Sequence, residues 1–287
     1  MDTVVEAVHL SGNVAVQASA SAFRIHQSFL WEFAPFDESL PVAGNAALTR
    51  QTMAGAIYAG LPAGLDAAEA TARTRPLGLL QYVYSLATAY HTTHATPPTL
   101  RRAAGLLETR AKHVAASRCL RIAEQEVGHD ALALKDIAAF GLPAEAFVAR
   151  VRPRDAFDLL ELFSRLADSS EPVGVLGYVY VMERMALRNT AASIEALERL
   201  LPPGVRATRC MRVHSSVGRD ATHVAESVEV IATLPPEDRR TIARAAFETS
   251  SLMHKEASDY PGDQAMRGIL KEIGGAEALL AHHGRAI

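Results

Sequence analysis

Cysteine is scarce in this sequence: Cys119 and Cys210 are the only two in 287 residues. Two cysteines cannot cross-link a chain of this length, and they match none of the short-spaced zinc motifs. No stretch reaches the roughly 18 uninterrupted apolar residues of a membrane-spanning helix, and the N-terminus has no basic segment of the kind that begins a secretory signal. We therefore expect a soluble, cytoplasmic protein with no membrane partner.

An excess of charge of one sign is also missing, because 29 Lys and Arg face 32 Asp and Glu, for a net charge of -3. The basic residues are scattered along the chain rather than collected in a block. Phosphate backbones are bound mainly by clustered Lys and Arg. The sequence therefore predicts no nucleic-acid partner.

Runs of alternating apolar residues are rare, whereas apolar residues recur at spacings of three and four almost everywhere. This periodicity predicts an all-α protein. Breaker clusters divide the chain into helix-sized pieces. The clusters are Gly60–Pro62, Thr96–Thr99, Gly141–Pro143, Arg152–Pro153, Ser169–Pro172, Pro202–Gly204, Pro235–Pro236 and Tyr260–Gly262.

Thr99 is predicted to cap a helix over about residues 99–117, and Gly141 to end the next one, over about 118–140. No repeat or flexible linker separates two halves, so residues 1–287 are expected to form a single helical domain. Residues 1–45 show the weakest helical periodicity of apolar residues.

Glu126 and His129 lie three residues apart in a segment rich in Ala, Leu and Ile. On a helix this spacing places a carboxylate and an imidazole on one face, as in the dimetal sites of helical bundles. Glu124 is the fallback carboxylate. A solvated helix face is the alternative interpretation of the pair.

A single carboxylate, Glu183, interrupts the apolar segment 175–185. An ionised Glu that is buried without a partner costs several kcal/mol, so Glu183 requires a cation if it faces the core. The cation would be a metal ion or an Arg from another helix. Alternatively, Glu183 lies on an exposed stripe beside Arg184 and Arg188.

Asp220 and His223 repeat the carboxylate and imidazole spacing farther along the chain, and His214 precedes them. Together the candidates supply three imidazoles and three carboxylates from three predicted helices. Such a mixed nitrogen and oxygen set suits iron or manganese better than structural zinc, which favours thiolates.

The order of these features resembles the haem-oxygenase-like diiron oxidases and oxygenases over roughly residues 75–255. The resemblance is carried by Glu126 to His129, Asp136, Gly141–Pro143, the helix from Leu176 to Glu183 and the segment from His214 to His223. The segment Leu79–Tyr84 also resembles the helix that precedes the first metal helix. The resemblance implies a single bundle of about seven core helices that binds two Fe(II) ions and uses O2 as cosubstrate. The ligands it implies are Glu126, His129, Glu183, His214, Asp220 and His223.

Two positions depart from the family pattern. The last metal helix of the family commonly reads His-x-x-x-Asp-x-x-His, but here Ser216 stands where the first imidazole is expected. His214 and His223 would point about 180° apart on an ideal helix, so either a break near Gly218 returns His214 to the metals or His214 is not a ligand. Many members also place a Glu seven residues before His129, where this chain has Ile122.

The resemblance implies oxidation of a small substrate, and we expect one derived from an amino acid in a biosynthetic pathway, by N-oxygenation, desaturation or C–C cleavage. Tyr178 is expected to shape the pocket, and Arg184, Arg188 and Arg212 are candidates for binding a substrate carboxylate. An external electron donor is a possible partner, and the aromatic segment Phe29–Phe33 suggests a homodimer.

Two other function classes stay open. One is a thiaminase-II-like or cofactorless enzyme on the same fold, with Cys119 or Cys210 as nucleophile or the carboxylates as acid and base. The other is a non-catalytic helical protein that binds a small ligand.

Overall fold

A computed structural model of the protein describes residues 5–27, 44–62, 78–217, 220–254 and 259–283. Helices dominate this part of the chain, so the predicted all-α class is confirmed. None of the described helices is both long and apolar enough to cross a membrane. The segment Phe29–Phe33, on which the dimer prediction depends, lies outside the described residues.

The described helices follow one another with short connections, and one turn of 3-10 helix (Pro172–Gly174) leads into the seventh. In chain order they are α1 (Ala46–Ala59), α2 (Leu79–Thr109), α3 (His113–Gln125), α4 (His129–Ala138), α5 (Ala144–Arg150), α6 (Arg154–Ala167), α7 (Val175–Ala186), α8 (Ala191–Glu198), α9 (Arg209–Val213), α10 (Asp220–Thr233), α11 (Pro236–Met253), α12 (Asp263–Ile273) and α13 (Glu277–His283).

A small antiparallel sheet at the N-terminus was not predicted. Its strands β1 (Glu6–Ser11), β2 (Val14–Ala18) and β3 (Phe23–Gln27) pair in the order β1-β2-β3. The alternation on β1 is hidden in the sequence because the buried positions include Glu6, which forms a buried ion pair with Arg239 of α11 at 2.9 Å. A charged residue at a core position does not register as apolar, so periodicity alone misses the strand.

The longest helix, α2, passes through the predicted Thr96–Thr99 break without ending. Pro97 and Pro98 lie inside it, and Thr99 is an interior residue rather than a cap. Proline removes a backbone donor and normally ends a helix, but α2 is packed along its length against α3, α4 and α6. Tertiary packing therefore outweighs the local signal.

The core consists of two apolar clusters, and α2 belongs to both. Its first half, including Leu80 and Leu86, packs with α4, α5 and α12, and its second half, including Leu100 and Leu107, packs with α3, α7 and α11. Gly177 lets α7 approach α11 closely, because a Cβ there would stand 2.1 Å from the carbonyl oxygen of Ile242. The two clusters meet around the middle of α2.

Candidate metal centre

The predicted helix over 118–140 is interrupted between Glu126 and His129. Helix α3 ends at Gln125, Gly128 adopts a φ of 85°, and His129 begins α4. Glycine is the residue that takes a positive φ at least cost. The expectation of one continuous helix was therefore wrong. The second half of the prediction is confirmed, because Gly141, with a φ of 81°, follows the end of α4 in the left-handed conformation.

Glu126 and His129 nevertheless meet across this turn. The Nδ1 atom of His129 lies 2.9 Å from Oε2 of Glu126, and the carboxylate is buried. The pair is thus formed by the ends of two helices rather than by one helix face. A turn at this point aims both side chains at a third element.

That third element is α9, which ends at Val213 and leaves His214 at its C-terminus. The rings of His214 and His129 are 4.8 Å apart and nearly perpendicular. One ligand atom from each of Glu126, His129 and His214 lies within 4.8 Å of the others. No continuous helix connects His214 with Asp220, because α9 ends at Val213 and α10 begins at Asp220. This agrees with the alternative in which a helix break returns His214 to the metals, although Gly218 itself lies outside the described residues.

Asn189 holds the loop that carries His214. Its Nδ2 donates to the carbonyl oxygen of His214 at 3.0 Å, and its own carbonyl oxygen accepts from the backbone N–H of Ser216 at 3.0 Å. Ser216, where the family pattern has an imidazole, is exposed. Sequence spacing offered no signal for the role of Asn189.

Glu183 and His223 form a second buried pair. Glu183 lies on α7 with 7% of its surface exposed, and its Oε1 is 3.7 Å from Nδ1 of His223 on α10. Buried Arg118 of α3 ties α10 in place, since it donates to the carbonyl oxygen of His223 at 3.1 Å and to Oγ of Ser227 at 2.9 Å. The sequence did not single out Arg118.

Two of the remaining candidates are not brought to this group by the described structure. Asp220 is the first residue of α10, but its side chain lies outside the described part. Glu124 is exposed on α3, away from the buried group, so the fallback assignment has no structural support.

A cavity of about 400 Å³ connects the two pairs, because Glu126, Glu183 and His214 all line it. Residues of both apolar clusters contribute to its wall, which places it where the clusters meet. Its volume is within the range of small-molecule sites. Two buried carboxylates and the partly buried imidazole of His214 therefore face a space that a small ligand can enter.

Of the predicted substrate-binding residues Tyr178, Arg184 and Arg212, only Tyr178 is among the described residues that line the cavity. Tyr178 lines the cavity and stacks on Phe163 with ring centres 4.2 Å apart. Arg184 is exposed and is not among the described lining residues. Arg212 is also exposed, and its Nη2 forms an ion pair with Glu198 at 2.8 Å. Neither Arg184 nor Arg212 is among the described residues that line this cavity, so the structure adds no support to the prediction that they bind substrate.

Electrostatics keep Glu126 ionised despite its burial. Burial by itself raises a carboxyl pKa, but the hydrogen bond with His129 and the nearby His214, His129 and His223 outweigh it and lower the pKa of Glu126. Burial raises the pKa of the Tyr178 phenol, which therefore stays protonated. The cavity thus holds a carboxylate at one end and a phenol that can donate a hydrogen bond.

Comparison with known proteins places this geometry in a family. The family model of iron-containing redox enzymes matches residues 83–254, more than half of the chain. The chain belongs to the iron-containing redox enzyme family. The match spans both buried pairs, and membership makes the protein an oxidoreductase. No curated protein matches the chain.

A solved structure agrees on the fold of this iron-containing redox enzyme. It is a domain of unknown function with a heme oxygenase-like fold from Shewanella denitrificans, 20% identical in sequence, with a TM-score of 0.52. The similarity covers 81% of this chain and 93% of that one. The predicted haem-oxygenase-like helical bundle is thereby confirmed.

The donor set on the cavity wall fits iron. Imidazole nitrogens and carboxylate oxygens are the ligands of non-haem iron sites, and no described cysteine sulfur joins the group of Glu126, His129 and His214. The second pair, Glu183 and His223, offers the same two donor types. The residues present therefore suit the metal that the family name states.

Asp136 couples the two segments that carry His129 and His214. It is fully buried on α4, two turns after His129, and its Oδ2 accepts the backbone N–H of Cys210 at 2.8 Å while Oδ1 pairs with Arg209 at 3.0 Å. Burial raises the pKa of Asp136, although these bonds oppose the rise. Because α9 is only one turn long, this anchor sets where His214 emerges.

Asp136→Ala is expected to lower the free energy of unfolding by about 1–3 kcal/mol, because a buried N–H loses its acceptor. The matched control on the same helix is Asp130→Ala, which removes an ion pair with largely exposed His94 and should cost less than about 1 kcal/mol. Urea unfolding measures both values. Equal losses in the two variants would contradict the anchoring role of Asp136.

Proposed function

We propose that this iron-containing redox enzyme is a non-haem diiron oxidase or oxygenase that uses O2 to oxidise a small substrate held in the cavity. The observation that carries the proposal is the meeting of two buried carboxylate and imidazole groups at one cavity of about 400 Å³. Structural ion pairs do not require an adjoining ligand-sized space. A catalytic site does.

Glu126, His129 and His214 would hold one iron, and Glu183 and His223, together with Asp220, would hold the other. Bound iron supplies the capacity to reduce O2 and so to oxidise an otherwise unreactive substrate bond. The protein supplies the ligand geometry through three separate anchors, namely Asp136, Asn189 and Arg118, whose hydrogen bonds fix the segments that carry the ligands.

The cavity wall positions the substrate and excludes water. Its apolar residues come from α2, α3, α7, α9 and the end of α11, and the protonated phenol of Tyr178 is available to donate a hydrogen bond. Incorporation of one oxygen atom into substrate, with the other leaving as water, consumes two electrons and two protons beyond those of the substrate. If the enzyme is an oxygenase, it therefore needs an external electron donor.

The cysteine-nucleophile alternative gains little from the structure. Cys119 is fully buried, and burial raises the pKa of its thiol to about 12, so it does not ionise near neutral pH. Cys210 lines the cavity, but a thiol mechanism leaves the buried Glu and His pairs without a role. Activity that persists in the presence of a chelator would favour the cofactorless alternatives.

Anaerobic titration of metal-free protein with Fe(II) tests the proposal. We expect about two irons per chain, because two donor groups are present, and a transient visible absorption when the loaded protein is mixed with O2. Metal content after purification is a poorer measure, since a weakly held iron is lost. Absence of binding, or a single iron that does not respond to O2, would contradict the diiron assignment.

A further inference from the structure

The wall that α2 contributes to the cavity has six hydroxyl groups, and the protons of all but that of Thr88 are already used. Each of five hydroxyls donates to a backbone carbonyl oxygen. The bonds are Tyr82 to Ala207, Ser85 to Tyr82, Thr92 to Thr88, Thr93 to Ala89 and Thr96 to Thr92. These side chains can still accept a hydrogen bond, but they have no proton left to donate to a ligand.

The opposite wall is largely apolar. Methionines at positions 182, 185, 211 and 253 line it, and thioether sulfur is at most a weak acceptor. The amide of Asn189 also reaches the cavity, and one of its two N–H groups donates to the carbonyl oxygen of His214. The cavity therefore offers a ligand many apolar contacts, several acceptors and a few neutral donors, namely Tyr178, Thr88 and the second N–H of Asn189.

Charge in the cavity is confined to the candidate metal centre. The ionisable carboxylates and imidazole among the described lining residues are Glu126, Glu183 and His214, and no Lys or Arg is found among those residues. An anion placed against the remaining wall would lose its hydration without gaining a cation among the described lining residues. That wall therefore discriminates against negative charge.

We propose that the substrate is uncharged away from the metal centre: a predominantly apolar molecule whose other polar groups are hydroxyl-type hydrogen-bond donors, not carboxylates or phosphates. The identification of the ligand as a substrate rests on the proposed function, whereas its binding does not. This proposal replaces the expectation of a carboxylate held by arginine.

Calorimetric titration of metal-free protein with octan-1-ol and with octanoate tests the proposal directly. Both molecules have the same chain length, and octanoate is ionised at pH 7. Octan-1-ol is expected to bind at least about tenfold more tightly, because its uncharged head group can donate to the acceptors of the wall and needs no cation. Equal affinity for the two, or no binding of octan-1-ol, would overturn the proposal.

Variants at Thr93 show whether the α2 wall is responsible. Thr93→Val keeps the shape and removes one hydroxyl acceptor, whose own proton goes to the carbonyl oxygens of Ala89 and Tyr90, so octan-1-ol should bind up to about tenfold more weakly while octanoate stays within about twofold. Thr93→Lys places a cation on the wall and should shift the preference at least about tenfold toward octanoate. An unchanged preference in Thr93→Lys would show that the wall does not select charge.

A third measurement separates this proposal from the proposed function. In anaerobic Fe(II)-loaded protein, octanedioate should bind at least about tenfold more weakly than octanoate, because its second carboxylate must face the uncharged wall. If iron does not bind, the diiron proposal fails while the metal-free titrations still decide the substrate class. If iron binds and octanedioate matches octanoate, the substrate class is wrong and the diiron proposal stands.

Discussion

Glu183→Ala should abolish one of the two iron sites and reduce O2 consumption by about a hundredfold or more. Loss of a residue that merely supports a metal ligand costs 10-fold to 100-fold, so loss of a ligand should cost at least as much. Glu183 is buried on α7 with its Oε1 3.7 Å from Nδ1 of His223, and α7 has no second carboxylate that could replace it. Fe(II) titration and an oxygen electrode measure the two effects, with circular dichroism as the check on folding.

Arg184→Ala is the matched control for Glu183→Ala. Arg184 is the next residue on the same helix, but it is exposed and is not among the described lining residues. Iron stoichiometry and O2 consumption should stay within about twofold of the unmodified protein. Retention of two irons by Glu183→Ala, with helix content unchanged, would remove Glu183 from the metal centre.

His214→Ala should lower the iron stoichiometry from about two per chain to one, because it removes one of three donors that meet within 4.8 Å. Ser216→Ala is its control and should retain both irons. Ser216 is exposed and contributes a hydroxyl that donates to the carbonyl oxygen of Asn189 at 3.2 Å. Anaerobic Fe(II) titration distinguishes the two variants.

The double variant His214→Ala with Ser216→His restores the regular family spacing of the last metal helix. We expect it to remain at one iron, because residue 216 lies on an exposed turn held by Asn189 and not on a helix that continues into α10. Recovery of the second iron in the double variant would show that the segment re-forms a helix and that the position of His214 is not decisive.

The helical class and many of the helix boundaries could be predicted from the sequence, because they depend on local periodicity and on Gly and Pro residues that end helices. The apolar segment 175–185 is a helix with Glu183 as its buried carboxylate, and Gly141 ends its segment in the left-handed conformation. Both features depend on residues close in the chain. The same reasoning failed at Pro97 and Pro98, where contacts with three other helices keep α2 continuous.

The candidate ligand types were also accessible, but not the way in which the chain brings them together. Spacing predicted that Glu126 and His129 share a helix face, whereas they meet across a turn at Gly128. Spacing also left open whether His214 belongs to the site. Its place depends on Asn189 and Asp136, which are distant in sequence from it.

Local sequence patterns were therefore enough for the helical class and for the set of carboxylates and imidazoles available to a metal. The tertiary structure was needed to show that His214 rather than Ser216 joins Glu126, that Arg184 and Arg212 are exposed, and that no Lys or Arg is among the described residues of the cavity wall. The physical reason is range: periodicity and turn chemistry act over a few residues, whereas the cavity is formed by side chains from helices far apart in the chain.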